Sequence, residues 1–321
     1  MEVWLQIGGG LVLLALGGEG VVRGAVGVAR RLGISELLIG LTLVGFGTST
    51  PELLTSISAA LRGSSGVAVG NVIGSNISNI LLIAALAAIA RPIAVGRAAI
   101  FRDGLTMIVV TAGFAAYALY FGNLERWTGA VLVSVLAAYL WATWLLERRS
   151  QRASAELHRA ESQVVDTPPA GLWMSLIFAL GGMVLLIFGA DALVRGAVAL
   201  ARGAGLSETV IGLTIVSVGT SLPELVATLA AAAKGRSDVA FGNVVGSNIY
   251  NVLGVLGLTS IVRPVPLPPD LTLIDWGVFV GAAALLVMQA WIGAKVGRRE
   301  GAMLLAGYIL YLTYLIGRSS L

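Results

Sequence analysis

Long apolar stretches separated by short polar breaks run along nearly the whole chain. Ten of them are close to or above the length of about 20 residues that crosses about 30 Å of hydrocarbon as an α-helix. The pattern therefore predicts an all-α integral membrane protein with ten transmembrane helices. The predicted spans cover residues 3–28, 35–61, 67–89, 99–121, 127–146, 172–201, 207–233, 239–260, 272–292 and 301–317.

The two halves of the chain repeat one another. Residues 17–81 align without a gap with residues 189–253, which lie 172 positions downstream, and 37 of the 65 aligned positions are identical. Because each half holds an odd number of spans, the second half enters the membrane with the opposite orientation. Many secondary transporters are built from such inverted repeats and place their site near the bilayer midplane, where the repeats meet.

A charged and polar segment with two adjacent prolines separates the halves. It divides the chain into a first five-helix repeat (residues 1–146), a linker (147–171) and a second, inverted five-helix repeat (172–321). The composition agrees with a membrane protein, since 57% of the residues are hydrophobic and 12% are charged. The chain has no cysteine, which excludes disulfides, and its only histidine, His158, lies in the linker.

Two polar motifs lie inside the apolar spans, and both occur in each half. Gly-Thr-Ser-Thr-Pro-Glu at 47–52 returns in similar form at 219–224, and Gly-Asn-Val-Ile-Gly-Ser-Asn at 70–76 returns at 242–248. On a helix, Thr48 and Glu52 lie on one face, and Pro51 between them should kink the helix and release backbone carbonyl groups. A carboxylate within a membrane is costly and by default marks a functional site.

The second motif adds a polar stripe to the next span. Asn71, Ser75 and Asn79 are spaced by four residues, and interhelical hydrogen bonding is the alternative to a role in coordination. We favour coordination because every group offers oxygen, which suits hard cations such as Ca²⁺. Two carboxylates neutralise one Ca²⁺ or two Na⁺, so one site can hold either load in turn. Gly66, Gly70 and Gly74 run beside the stripe and predict close helix packing.

These paired motifs resemble the α-repeats of the cation/calcium antiporter family, specifically its prokaryotic sodium/calcium exchanger branch. The resemblance implies Na⁺-for-Ca²⁺ exchange by alternating access through a shared midplane site formed by spans 2, 3, 7 and 8. Glu52 and Glu224 resemble the two central glutamates, and Gly45 and Ser217 occupy positions that offer backbone carbonyls. The full set of implied metal-binding residues is Glu52, Glu224, Thr48, Thr220, Ser49, Ser221, Ser75, Ser247, Asn79, Asn251, Gly45 and Ser217.

Two positions refine what the resemblance implies. Asn251 stands where potassium-dependent members carry Asp, which argues against K⁺ cotransport, and Ser217 stands where small apolar residues are usual. A Ca²⁺/H⁺ antiporter that uses the same two glutamates is the alternative, but both Thr-Ser pairs are intact and favour Na⁺. We expect Ca²⁺, Na⁺ and the lipid bilayer as partners, with no nucleic-acid partner and no obligatory protein partner. We expect no enzymatic activity and no cofactor other than the transported ions.

The basic residues predict how the chain is oriented. The loops after spans 1, 3, 5, 7 and 9 hold fourteen Arg and Lys residues, whereas the opposite side holds five. Since cytoplasmic loops carry an excess of Lys and Arg, we expect a cell (inner) membrane protein with a cytoplasmic linker and both termini on the extracytoplasmic side.

The orientation can be tested with a single cysteine, because the native chain has none. A Ser154→Cys variant carries its only thiol in the linker. We expect this thiol to resist an impermeant reagent in intact cells and to react in inverted membrane vesicles. The opposite labelling pattern would reverse the predicted topology.

Overall fold

The computed structural model describes residues 2–31, 45–149, 171–233, 235 and 237–319, and these residues are almost entirely helical. The α-helices are α1 (Glu2–Arg31), α2 (Gly45–Thr48), α3 (Thr50–Leu61), α4 (Ser65–Ser78), α5 (Ala85–Ala90), α6 (Arg97–Ala99), α7 (Leu105–Phe121), α8 (Arg126–Arg149), α9 (Leu172–Ala204), α10 (Glu208–Ile211), α11 (Ser217–Thr220), α12 (Leu222–Ala233), α13 (Ser237–Tyr250), α14 (Gly257–Val262), α15 (Leu273–Gly293) and α16 (Arg298–Ser319). Four π-helical segments continue or join them, namely π1 (Asn79–Ala84), π2 (Ile100–Gly104), π3 (Gly212–Val216) and π4 (Asn251–Leu256). Short strands are β1 (Ile93–Ala94), β2 (Asn123–Leu124), β3 (Val265–Pro266) and β4 (Lys295–Val296).

Eight helices of the described residues are long and apolar enough to cross a membrane, and the bent run from α10 to α12 makes nine. The predicted multi-pass helical membrane protein is therefore confirmed. The predicted second span, residues 35–61, begins outside the described residues, and α2 and α3 form its end. Most of the predicted linker, residues 150–170, also lies outside them.

Two long helical runs form the centre of the molecule. In the runs 65–90 and 239–262, 83% of the spanning stretch is buried, against at most 44% in the other six long helices. The outer helices carry apolar side chains on exposed faces, as a lipid environment requires. Both copies of the second polar motif therefore lie on the two most enclosed helices.

The glycines of α4 allow close packing against the first part of the bent run. A methyl group at Gly70 would lie 2.8 Å from the carbonyl oxygen of Thr209, and one at Gly74 would lie 2.7 Å from that of Leu213. Neither backbone can yield at such distances. The predicted packing role of these glycines is confirmed, and it brings the stripe of α4 against π3 and α11.

The short strands connect the two halves in a reciprocal way. Ile93 pairs with Val296 in the β1–β4 ladder, and Leu124 pairs with Val265 in the β2–β3 ladder. Ile93 and Val265 are equivalent under the 172-residue offset, and so are Leu124 and Val296, so the second ladder is the first with the two halves exchanged. Each half thus provides one strand to each ladder.

Two arginines cap helices of the opposite half in the same reciprocal way. The Nη1 of Arg91 donates to the carbonyl oxygen of Ala233 at 3.0 Å, and that of Arg263 donates to Leu61 at 2.5 Å. A cation at a helix C-terminus is favourable because the last carbonyl groups carry partial negative charge. The C-terminal ends of α12 and α3, the helices that begin beside the two glutamates, are fixed by these caps.

Helices α1 and α9 pack along each other through glycines, which yields a stability prediction. A methyl group at Gly182 would lie 2.6 Å from the carbonyl oxygen of Gly17, whereas one at Gly181 would contact nothing. We expect Gly182→Ala to destabilise the protein by about 1–3 kcal/mol through overpacking. The matched Gly181→Ala should be neutral or stabilising by up to about 1 kcal/mol, because Ala favours helix.

Thermal unfolding of the purified variants in detergent measures both effects. Equal unfolding temperatures for Gly182→Ala and Gly181→Ala would contradict the close contact between α1 and α9.

Candidate cation site

Both helices that carry the Thr-Ser-x-Pro-Glu motif are interrupted at its serine. Ser49 has φ −89° and ψ 9°, and Ser221 has φ −84° and ψ 9°, which are not helical values. The run from α10 to α12 bends by 48° at this point. Pro51 lies in the first turn of α3, where its missing N–H group breaks no hydrogen bond of that helix. The predicted interruption is therefore present, and the new helix begins just before the glutamate.

The two interruption serines bind the glutamates of the opposite half. Ser49 Oγ donates to Glu224 Oε1 at 2.9 Å, and Ser221 Oγ donates to Glu52 Oε1 at 2.9 Å. All four side chains are buried. The second oxygen of each carboxylate, Oε2, is buried and has no hydrogen-bond partner among the described residues.

Hydroxyl groups of the predicted set lie around these carboxylates. Thr48 directly precedes Ser49, and Thr220 Oγ1 donates to Asn71 Oδ1 at 3.0 Å and to the carbonyl oxygen of Ser217 at 3.3 Å. Ser75 Oγ also donates to the carbonyl oxygen of Ser217, at 3.4 Å. The structure therefore brings the predicted residues of spans 2, 3 and 7 together around two buried carboxylates.

The first asparagine of each polar stripe holds the glutamate helix by its backbone. Asn71 Nδ2 lies 3.3 Å from the carbonyl oxygen of Glu52 and 3.0 Å from Ser56 Oγ. Asn243 Nδ2 makes the equivalent contacts, at 3.3 Å to the carbonyl oxygen of Glu224 and 2.8 Å to Thr228 Oγ1. At these two positions the stripe makes interhelical hydrogen bonds, which was the alternative to coordination.

The last asparagine of each stripe opens a π-helical segment. Asn79 begins π1 and Asn251 begins π4. Asn79 Oδ1, both polar atoms of Asn251 and Ser247 Oγ are buried without a hydrogen-bond partner within the described part of the chain. Such π-segments are often found at functional sites. Unpaired oxygens inside a protein are costly unless a ligand pairs with them.

The remaining two predicted residues lie at the starts of two short helices. Gly45 is the first residue of α2. Ser217 is the first residue of α11, and its hydroxyl donates back to the carbonyl oxygen of Leu213 at 2.9 Å. A methyl group at Gly74 would lie 2.6 Å from Ser217 Oγ. Gly74 therefore makes room for the hydroxyl of Ser217. The carbonyl oxygen of Ser217 accepts from the backbone N–H of Ser221 at 3.1 Å as well as from the hydroxyls of Thr220 and Ser75.

The chemistry of this cluster suits a hard cation. Across the residues that the structure describes, no three Asp, Glu, His or Cys side chains come together. The cluster instead combines two carboxylates with neutral hydroxyl, amide and carbonyl oxygens, which Ca²⁺ and similar cations prefer. Two buried carboxylates are costly when ionised, and a bound cation is one way to neutralise them. A helical membrane protein with such a cluster between its halves falls into the class of cation transporters.

Comparison with known proteins gives the family. The model of the sodium/calcium exchanger protein family matches residues 2–145 and 174–317. The chain therefore belongs to this family of membrane antiporters. Its relatives include CaxA of Alkalimonas amylolytica, whose name describes it as a candidate antiporter, at 39% identity over 94% of this chain and 95% of that protein. The sodium/calcium exchanger MaX1 of Methanosarcina acetivorans is 32% identical over 95% of this chain and 96% of MaX1.

A solved structure agrees with this assignment. The sodium-calcium exchanger NCX_Mj, studied with Na⁺ and Sr²⁺ soaked in, superposes with a TM-score of 0.65 at 31% identity, and 98% of each chain is covered. Inner membrane protein YrbG of Escherichia coli is 33% identical over 95% of this chain and 94% of YrbG. These relatives are transporters or membrane proteins and none is described as an enzyme.

Sequence reasoning did not single out every polar residue that surrounds the cluster. Ser56 and Thr228, which bind Asn71 and Asn243, have no motif of their own. Asn76 and Asn248 lie inside the repeated Gly-Ser-Asn segment but were not assigned a role. The repetition of asparagine at positions 76 and 248 could have identified these two residues, because both end the second polar motif in their half of the chain.

The unpaired carboxylate oxygens lead to a thermal prediction. A cation that binds only the folded protein raises its unfolding temperature. We expect Ca²⁺ or Na⁺ to raise the unfolding temperature of the native protein. The unfolding temperature of the double variant Glu52→Gln, Glu224→Gln should not change with either ion, because the amides remove both charges.

A matched control is Asp103→Asn. Asp103 is a partly buried carboxylate that already binds Arg102 and Tyr139 and lies outside the cluster. This variant should keep the cation-dependent shift. A shift that persists in the double glutamine variant would contradict binding at these carboxylates.

Proposed function

We propose that this protein is a secondary active antiporter that exchanges Na⁺ for Ca²⁺ by alternating access through one site shared by its two halves. The observation that carries the proposal is the reciprocal pair of hydrogen bonds, Ser49 to Glu224 and Ser221 to Glu52. Each bond holds one oxygen of a carboxylate and leaves the other free. Two free carboxylate oxygens of opposite halves can neutralise one Ca²⁺ or share two Na⁺.

In this proposal the ligands are the set predicted from the sequence. Glu52 and Glu224 supply the charge, the hydroxyls and amides supply neutral oxygens, and Gly45 and Ser217 supply backbone carbonyls. The buried, unpaired oxygens of Asn79, Asn251 and Ser247 support this assignment, because their desolvation is otherwise uncompensated. The remaining members are Thr48, Thr220, Ser49, Ser221 and Ser75.

The proposed architecture is ten helices in two inverted five-helix repeats. The reciprocal strand ladders and the reciprocal arginine caps support it, because each maps onto its mate under the 172-residue offset with the halves exchanged. In such transporters one repeat moves against the other around a fixed site. We propose the cell (inner) membrane as the location, with both termini extracytoplasmic. The relative YrbG is named an inner membrane protein, which supports this location.

The coupling ion is tested by flux into proteoliposomes of the purified protein. We expect an outward-directed Na⁺ gradient to drive uptake of radioactive Ca²⁺, because both ions need the same two carboxylates. An imposed pH gradient alone should not drive uptake, and K⁺ should have little effect, since Asn251 offers a neutral amide.

The Glu52→Gln and Glu224→Gln single variants serve as matched negative controls in the same vesicles. Native uptake that ignores Na⁺ and follows the pH gradient would replace the proposal with the Ca²⁺/H⁺ antiporter.

A further inference from the structure

The two central asparagines are equivalent under the 172-residue offset, yet their surroundings differ. Asn79 Nδ2 donates to Asn248 Oδ1 at 3.4 Å. Asn251 has no such bond, and both of its polar atoms are buried without a partner in the described ranges. The equivalent acceptor would be Asn76 Oδ1, which is unpaired in the same sense. One hydrogen bond of an equivalent pair is thus formed and the other is not.

Asn248 is itself held in one orientation. Its Nδ2 contacts the sulfur atom of Met107 at 3.5 Å, and its backbone carbonyl oxygen accepts from Asn76 Nδ2 at 3.2 Å. All three side chains are buried. A carboxamide whose nitrogen faces an acceptor presents its oxygen on the other side. The oxygen of Asn248 can therefore accept a hydrogen bond from the amide nitrogen of Asn79.

The sequence explains why only one half forms this bond. The position equivalent to Met107 is Phe279, whose ring offers no sulfur acceptor. Helix α7, which carries Met107, packs on α13, and helix α15, which carries Phe279, packs on α4. Asn76 on α4 has no thioether at the equivalent position, and its nitrogen binds the backbone of Asn248 instead.

The orientation of a carboxamide matters because its oxygen can bind a cation and its N–H groups cannot. We propose that Asn248 is a positioning residue that fixes the oxygen of Asn79 toward the cation. Asn251 has no such partner, so the cation itself sets its orientation. The inference rests on the proposed cation site. It makes the two central asparagines unequal, because Asn79 is oriented before the cation binds and Asn251 is oriented by the cation.

The first test compares equivalent variants by Ca²⁺ titration of the full-length protein in a calorimeter. Partners that orient metal ligands are typically worth about 10–100-fold in affinity. We expect Asn248→Ala to weaken Ca²⁺ binding by roughly tenfold or more. Asn76→Ala, the equivalent change in the other half, should cost less than about threefold, because the oxygen of Asn76 orients no ligand and its nitrogen binds the backbone, not the carboxamide, of Asn248. Equal losses would overturn the inference.

A double-mutant cycle separates positioning from a merely structural role. In an Asn79→Asp background both ends of the side chain at position 79 are oxygens, so its orientation no longer matters. Asn248→Ala should then change Ca²⁺ affinity by less than about twofold, whereas a structural role would give the same loss in both backgrounds. The same loss in both backgrounds would overturn the inference.

The native protein distinguishes the two levels of the proposal. If it binds Ca²⁺ while Asn248→Ala binds equally well, only the inference about Asn248 is wrong. If it binds neither Ca²⁺ nor Na⁺, the proposed function fails and this inference fails with it.

Discussion

Two like-charged carboxylates buried between the halves of a membrane protein are the constraint on which the rest of the structure depends. Glu52 and Glu224 are almost completely enclosed, and each is hydrogen-bonded through one oxygen only among the described residues. Such a pair is unfavourable in its ionised form unless a cation or protons neutralise it. The interrupted helices place both glutamates in the interior, and the serines of the opposite halves bind one oxygen of each carboxylate. The proposed exchange depends on this arrangement.

The packing of the surrounding helices fixes the positions of the two carboxylates. The glycines of α4 let π3 and α11 approach so closely that a single methyl group would collide with backbone. Arg91 and Arg263 fix the far ends of the helices that begin beside Glu224 and Glu52. A cation site is sensitive to errors well below 1 Å, on the order of 0.5 Å. Close backbone packing and the reciprocal caps restrict the movement of the helices that carry Glu52 and Glu224.

Much of this arrangement could be predicted from the sequence because the repeat is strong. The identical spacing of the two Thr-Ser-x-Pro-Glu motifs predicted paired carboxylates, and proline chemistry predicted the interruption beside them. The predicted membrane class and family are confirmed by the long apolar helices and by the family match. The span count and the ligand roles stay predictions.

Other features depend on tertiary contacts that no spacing reveals. That Ser49 binds Glu224 rather than Glu52 follows only from how the halves meet. The π-segments that start at Asn79 and Asn251 arise in apolar sequence with no distinctive local pattern. The different surroundings of the two asparagines come from Met107 and Phe279, which lie in a region where the repeat has diverged. Sequence symmetry predicted two equal halves, and the difference between them appears only in the packing.

The central claim is that one cation is held between the two carboxylates, and long-wavelength diffraction from crystals grown with Ca²⁺ tests it most directly. Calcium scatters anomalously at such wavelengths, so its position is read without reference to the protein density. The account predicts a peak about 2.3–2.6 Å from oxygens of both Glu52 and Glu224. A calcium peak that contacts only one of the two glutamates, or lies outside this cluster, would contradict it.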